Sequence, residues 1–226
     1  MADALGGKTV RWEEALPIAE EAQEKIRSSL ADGGYEVGRI SVAGSFLRRD
    51  PECRDIDIVF EITNTPSGKP EERFDQTPAG FRSALLTLLG ECKSLIEPIF
   101  EKPVTTGLAT HGLLRGVQVD VFLAIPGNWV TSLCIWAGDR VFNMHKFSKA
   151  SASGISLWPW AAIDNKTKEV IVFTEMNDLL RRINIEETDV SKWSWRRHEI
   201  KRAAAAKHRK AADTKGSDKD EDCNGS

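Results

Sequence analysis

An α+β fold is predicted for this chain: a mixed β-sheet with helices, followed by a smaller α/β part. Three observations predict it. A long stretch of helical period precedes the first strands. Two segments, DIDIVFEI from Asp55 and VQVDVFLA from Val117, alternate strictly, as half-buried strands do. After Pro126-Gly127 the apolar runs become shorter and mix both periods, so a subdomain boundary is expected there.

Each element has its own signal. Over 12–30, Ala15, Ile18, Ala19, Ala22, Ile26 and Leu30 recur near the helical period, and Asp32-Gly33-Gly34 ends the helix. Val37, Ile40 and Val42 make 35–43 a strand, and Gly44-Ser45 reads as a turn. In the strand 55–62, Ile56, Ile58 and Phe60 take one face, and Asp55, Asp57 and Val59 the other. The polar, Gly- and Pro-rich segment 64–78 reads as a loop. Residues 79–90 read as a helix with Phe81, Leu85, Leu88 and Leu89 inward, and a strand is expected within 99–106. Val117–Ala124 is the second alternating strand. Beyond the boundary, helices are expected at 129–136, 139–151 and 177–183. Strands are expected at 155–163 and 169–173, with a turn at Asp164-Asn165.

Composition narrows the function classes. With 41% hydrophobic and 29% charged residues, the chain is not disordered as a whole. Its longest mostly apolar stretch, 155–163, is far too short to span a bilayer, and no basic-then-apolar leader is visible at the N-terminus. A cytoplasmic or nucleoid-associated protein is expected, or a nuclear one in a eukaryote, with no membrane partner. Four cysteines without CxxC spacing argue against a zinc ribbon or redox pair. The net charge of −3 argues mildly against a protein that coats nucleic acid. Charge is concentrated at the end: 196–210 carries +6 and 211–226 carries −3. A basic helix-like segment followed by an acidic, partly disordered tail is expected over 196–226.

The strongest chemical signal is three aspartates on two expected strands. Asp55 and Asp57 leave the same face, and Asp120 sits in the middle of VQVDVFL. A buried carboxylate is costly unless a cation offsets it, and oxygen ligands of this kind suit Mg²⁺. The alternative is a wet strand face, with Asp120 paired to an arginine such as Arg115. Ahead of the first strand stand Gly44-Ser45, which leaves room for a phosphate, and Arg48-Arg49, which supply donors for its oxygens. His111, His145, His198 and His208 show no ligand spacing and read as surface or packing residues. Trp158, Trp160, Trp193 and Trp195 read first as core, with base stacking as the alternative.

GSFLRRDPECRDID resembles the nucleotidyltransferase signature of the family X DNA polymerases: Gly-Ser-x-x-Arg, then Asp-x-Asp ten residues after the Ser. VQVDVFL resembles the strand that carries the family's third carboxylate. Trp136-Ala137-Gly138-Asp139 followed by Phe142-Asn143 resembles the family's aromatic-Thr-Gly-Ser and Phe-Asn motifs. Val10 to Glu14 resembles the segment that opens the catalytic core, and the likeness stays in register from about Lys8 to Ile183.

The resemblance implies a nucleotidyltransferase-superfamily palm over 1–126 and a thumb-like, nucleotide-holding subdomain over 127–195. Asp55, Asp57 and Asp120 would hold two Mg²⁺ ions, with Mn²⁺ able to substitute. Gly44, Ser45 and Arg48 would take the triphosphate, while Trp136, Gly138 and Asn143 would meet the sugar and base. The implied activity is addition of a dNTP, or an NTP, to a primer 3′-hydroxyl on primer/template or gapped DNA by a monomer. The other reading is template-independent transfer to an RNA end, a protein or a small molecule. A minimal palm-plus-thumb form is expected, with Arg196, Arg197, Lys201 and Arg202 as DNA-phosphate contacts. The chain departs from the family at Gln118, where an Arg is usual, at Ala137 and Asp139 for Thr and Ser, and at Phe147 for the usual template-pair Arg.

Overall fold

The computed structural model describes residues 5–193. Strand β1 (Val10–Arg11) leads directly into helix α1 (Trp12–Asp32), whose six apolar residues at helical spacing are all buried. Gly34, at φ +80°, turns the chain into β2 (Glu36–Val42). The expected turn at Gly44-Ser45 is a single helical turn, α2 (Gly44–Leu47). Strand β3 (Glu52–Cys53) pairs with β1, and the indole N–H of Trp12 donates to the Phe46 carbonyl at 3.0 Å. The start of the fold is thereby clipped to the loop before the first long strand, β4 (Asp55–Asn64).

The expected loop 64–78 contains a short helix, α3 (Pro70–Arg73). Helix α4 (Pro78–Ile96) starts on a Thr77 side-chain cap and runs well past Gly90, where the expected helix ended. Gly90 faces open space, and buried Cys92 and Ile96 continue the apolar stripe beyond it. A glycine costs a helix about 1 kcal/mol against alanine, less than two further buried side chains return. Strands β5 (Glu101–Thr106), β6 (Ala109–Leu114) and β7 (Val117–Ala124) follow. β6 was not expected, because ATHGLL has no period of two and is buried along almost its whole length.

The central five-stranded sheet has the order β2-β4-β7-β6-β5. β4 and β7 are parallel and the other pairs antiparallel, so the sheet is mixed as expected. Ile56, Ile58, Phe60 and Ile62 of β4, with Val117, Val119, Val121 and Leu123 of β7, share one core with the buried faces of α1 and α4. Each such side chain contributes about 1.5–3 kcal/mol when fully buried. A one-residue slip would turn them all to the other face. The core therefore fixes the register that sets which residues the opposite face presents.

That opposite face joins a second core through Val59, Phe122, Ala124 and Ala109. Its helices are α5 (Trp129–Ala137), α6 (Arg140–Ala152) and α7 (Met176–Arg182). Strands β8 (Ile155–Trp158), β9 (Ala161–Asp164) and β10 (Val170–Ile171) form a small antiparallel sheet. The single strand expected over 155–163 is thus a hairpin, broken at Pro159-Trp160. Trp193 is fully buried here, as a core tryptophan should be. Trp158 instead is 46% exposed and stacks on Trp160. Among the described residues, no helix is long and apolar enough to cross a membrane.

Candidate active site

Strand pairing lines up a row of polar side chains across the sheet. Asp57 lies opposite Asp120 in the parallel β4–β7 pair, and Asp120 lies opposite His111 in the antiparallel β6–β7 pair. Adjacent strands are about 4.8 Å apart, and paired residues share a face. Asp55 stands one step along the same face, opposite Gln118. The three aspartates singled out in the sequence are therefore neighbours.

Asp57 keeps some solvent access but is closely surrounded by protein. Burial, then the charges of Asp55 and Asp120, push its carboxyl well above the usual range, and Arg48 only partly opposes them. Asp55 is raised in the same direction by burial and by Asp120, against Arg54 and Arg48. Among the described residues, no side chain bonds or ion-pairs with the Asp57 carboxylate. Glu61, on the same face of β4, is the contrast: Arg39 grips both its oxygens at 2.8 and 2.5 Å.

Gly44 is pressed against this acid. It has φ +56°, and a Cβ there would fall 1.7 Å from Asp57 Oδ2. The backbone N–H of Ala43 also donates to the Asp57 carbonyl at 2.8 Å. The Gly44-Ser45 segment thus packs on the acidic strand, with Ser45 Oγ 3.5 Å from the Asp55 carbonyl.

Arg48, expected at the triphosphate, is engaged within the protein. It is buried, with Nε and Nη2 donating to Asp50 Oδ2 at 3.2 and 2.8 Å, and Nη1 to the Ala137 carbonyl at 3.0 Å. It thereby ties the loop before β4 to the end of α5. Trp136 stacks on Phe122, centroids 3.7 Å apart, two residues along the strand from Asp120. Asn143 is also engaged: its Nδ2 donates to the carbonyls of Ile135 at 2.8 Å and Gly138 at 3.2 Å. A Cβ on Gly138 would fall 2.5 Å from Asn143 Oδ1, so a glycine is needed at this joint. Asp139, which stands where the resembled motif carries a Ser, caps α6 by accepting from the Phe142 N–H at 2.7 Å.

Two side chains in these surroundings were not singled out from the sequence. Lys146 is fully buried. Its Nζ donates to the Cys134 carbonyl and lies 4.7 Å from the centre of the Trp193 ring. Burial pushes its pKa down. His111, read as a surface or packing residue, has Nδ1 2.9 Å from Asp120 Oδ1. The pairing is set by the structure of the turn: Arg115 and Gly116 both have positive φ, as a two-residue hairpin turn requires. That turn pairs Leu114 with Val117 and so His111 with Asp120. Arg115, offered as a partner for Asp120, pairs with Glu21 instead. Arg196, Arg197, Lys201, Arg202 and Trp195 lie outside the described residues.

Among the described residues, no three His, Cys, Asp or Glu side chains form a ready-made metal cage. The donor set still fits Mg²⁺. It is all oxygen and mutually repelling, and among the described residues no cationic side chain is paired with Asp57, Arg48 acting on it only through its charge. Mg²⁺ is usually held by one or two carboxylates plus substrate phosphates and water, not by a closed protein cage.

No family profile matches the chain, and no curated protein sequence matches it. Among solved structures, the fold is similar to that of Leishmania infantum polymerase beta in a ternary P/T complex. The TM-score is 0.61 at 14% identity, covering 82% of this chain and 77% of that one. A likeness at this identity establishes a polymerase beta-like fold.

Proposed function

We propose that this protein is a metal-dependent nucleotidyltransferase of the polymerase X type. It would add nucleotides to a DNA 3′-hydroxyl with release of pyrophosphate, in gap filling or repair synthesis. The observation that carries the reading is the shared face of Asp55, Asp57 and Asp120 on two parallel neighbours, with Gly44 packed against Asp57. Asp55, Asp57 and Asp120 would hold two Mg²⁺ ions. Bound there, Mg²⁺ would supply charge neutralisation for the phosphates and the attacking oxygen. The chemistry is formation of a bond from the primer 3′-oxygen to the α-phosphorus and cleavage of the α–β bridging bond.

The protein's own share is positioning. Gly44 and Ser45 leave a close approach for the triphosphate beside Asp55 and Asp57. Arg48 would reach it by exchanging its Asp50 and Ala137 bonds for phosphate oxygens. The Trp136–Phe122 stack offers a rigid apolar wall for the sugar, next to Asp120. A division at Pro126 into a catalytic part, 1–126, and a nucleotide-holding part, 127–195, belongs to this reading. So do DNA contacts by Arg196, Arg197, Lys201 and Arg202.

The test is primer extension on a single-nucleotide gap, an open primer–template and a lone single strand. Each is run with Mg²⁺ or Mn²⁺, with dNTPs or NTPs, and with Asp120→Ala as control. Template-matched addition at the gap, lost in Asp120→Ala, is the expected result. Addition to the single strand alone would point to the template-independent reading. No addition to any DNA would overturn the proposal.

A further inference from the structure

Asp120 is held by two donors from two strands, and both act on the same oxygen. Gln118 Nε2, from its own strand, lies 2.9 Å from Oδ1. His111 Nδ1, from β6, lies 2.9 Å from the same Oδ1. Oδ2 has no partner among the described residues. The holders are themselves held. A Cβ on Gly7 would fall 3.0 Å from the backbone N and Cβ of Gln118, so that segment lies directly over the buried glutamine. A Cβ on Gly112 would fall 2.4 Å from the Phe100 Cβ, so the strand bearing His111 lies close against its neighbour. The Arg115-Gly116 turn fixes the register between the two strands.

We propose that His111 is a positioning residue for Asp120: together with Gln118 it fixes one carboxylate oxygen and reserves the other for a divalent cation. The inference rests on the function proposed above and adds a residue from a third strand to the site. An aspartate with one oxygen tied has its side-chain torsions set before any ligand arrives. It loses less conformational freedom on binding than a free one. Gln118 alone restrains Asp120 along its own strand. His111 restrains it across the sheet, so the pair removes freedom in two directions.

The experiment titrates the full chain with Mn²⁺, reading free Mn²⁺ by electron paramagnetic resonance, with and without a dNTP. The variants are His111→Ala, His111→Phe and His111→Asn, with Asp120→Ala as control. Losing an outer partner of a metal ligand typically costs about 10–100-fold in metal affinity. His111→Ala and His111→Phe should weaken Mn²⁺ binding by that factor and lower kcat, with the KM for nucleotide nearly unchanged. His111→Asn, whose amide offers a donor near the position of Nδ1, should recover most of the affinity. A purely packing role would be rescued by Phe and not by Asn, which overturns the proposal. Wild-type affinity in all three variants overturns it too, while leaving the proposed function standing. If the wild-type chain binds no Mn²⁺ that Asp120→Ala removes, both readings fall together.

Discussion

The joint between α5 and α6 and the acidic row on β4 and β7 treat buried polar groups in opposite ways. At the joint, the carbonyls of Cys134, Ile135, Ala137 and Gly138 each receive a side-chain donor, from Lys146, Asn143, Arg48 and Asn143 again. The end of a helix leaves its last carbonyls without intrahelical partners and carries partial negative charge. Two cations and an amide answer both needs. At the row, three carboxylates repel one another, and among the described residues no side chain donates to the Asp57 carboxylate. In the first region these carbonyls are answered from within the fold, and Asn143 Oδ1 is the buried oxygen left without a partner among the described residues. In the second the carboxylates oppose one another, and Arg48, bonded into the joint, offsets them only through its charge. Polar groups that a fold leaves unanswered are where ligands bind.

The largest effect should come from removing the unanswered charge. Asp57→Asn and Asp120→Ala should each lower nucleotide addition by on the order of 10³-fold, as loss of a main electrostatic element does. Asp57→Asn should also raise the melting temperature of the metal-free protein, because it removes a repelled carboxylate. Loss of activity together with a gain of stability separates a ligand-binding acid from a structural one. Activity surviving in Asp57→Asn would break the comparison.

Gly44→Ala should come next. Its Cβ would occupy the position of Asp57 Oδ2, and the positive φ adds strain. The acid must swing aside, so activity should drop by roughly 10²-fold, the scale of a 1 Å misplacement. Mn²⁺ affinity, measured by titration, should fall with it. Unchanged Mn²⁺ binding in Gly44→Ala would mean that Asp57 can move without harm to the site.

The two regions were unequally legible in the sequence. The acidic row could be read because a period of two fixes which residues share a face, and aspartates inside apolar strands stand out. His111 was missed because its strand has no alternation, and its partner becomes visible only once the Arg115-Gly116 turn sets the register. At the joint, the motif resemblance implies contacts of Trp136, Gly138 and Asn143 with a nucleotide, while the bonds of Asn143, Arg48 and Lys146 to backbone carbonyls have no side-chain pattern to announce them. Lys146 illustrates the limit: a lysine among polar helix residues reads as exposed, and only tertiary packing buries it. The Asp139 cap was in principle legible, since an aspartate just ahead of a helical run is a standard start signal.

Within the joint the effects should be on stability first. Asn143→Ala leaves two carbonyls without their donor, which costs about 1–3 kcal/mol for each group left unsatisfied. Gly138→Ala forces Asn143 and Lys146 apart and should cost about 1–3 kcal/mol, as overpacking does. Both should lower the melting temperature, read by calorimetry, and reduce kcat/KM only modestly below it. A large rise in nucleotide KM for Asn143→Ala at unchanged stability would mean that the amide serves the substrate instead.

The smallest effect, and the one that most sharpens the comparison, is on the pH dependence of the metal-free protein. The Asp57 carboxyl titrates higher in the folded chain than in the unfolded one, through burial and through Asp55 and Asp120, with Arg48 opposing. Between the two values the folded state holds the extra proton, so stability is greatest on the acid side and falls as pH rises through the folded value. Ordinary paired acids do the reverse: Asp164, lowered by backbone N–H bonds from Thr167 and Lys166, loses its contribution as pH falls. The two kinds of group oppose each other in the whole protein, so the difference between wild type and Asp57→Asn isolates the row. That difference should be small at low pH and grow as pH rises from about 4 upward. Since the charge of Asp55 helps to raise Asp57, the difference reports both acids. Saturating Mg²⁺ should invert the trend, stabilising wild type more as the carboxylates ionise. A difference independent of pH, with and without Mg²⁺, would mean that the row is neutralised by the fold itself, as the joint is.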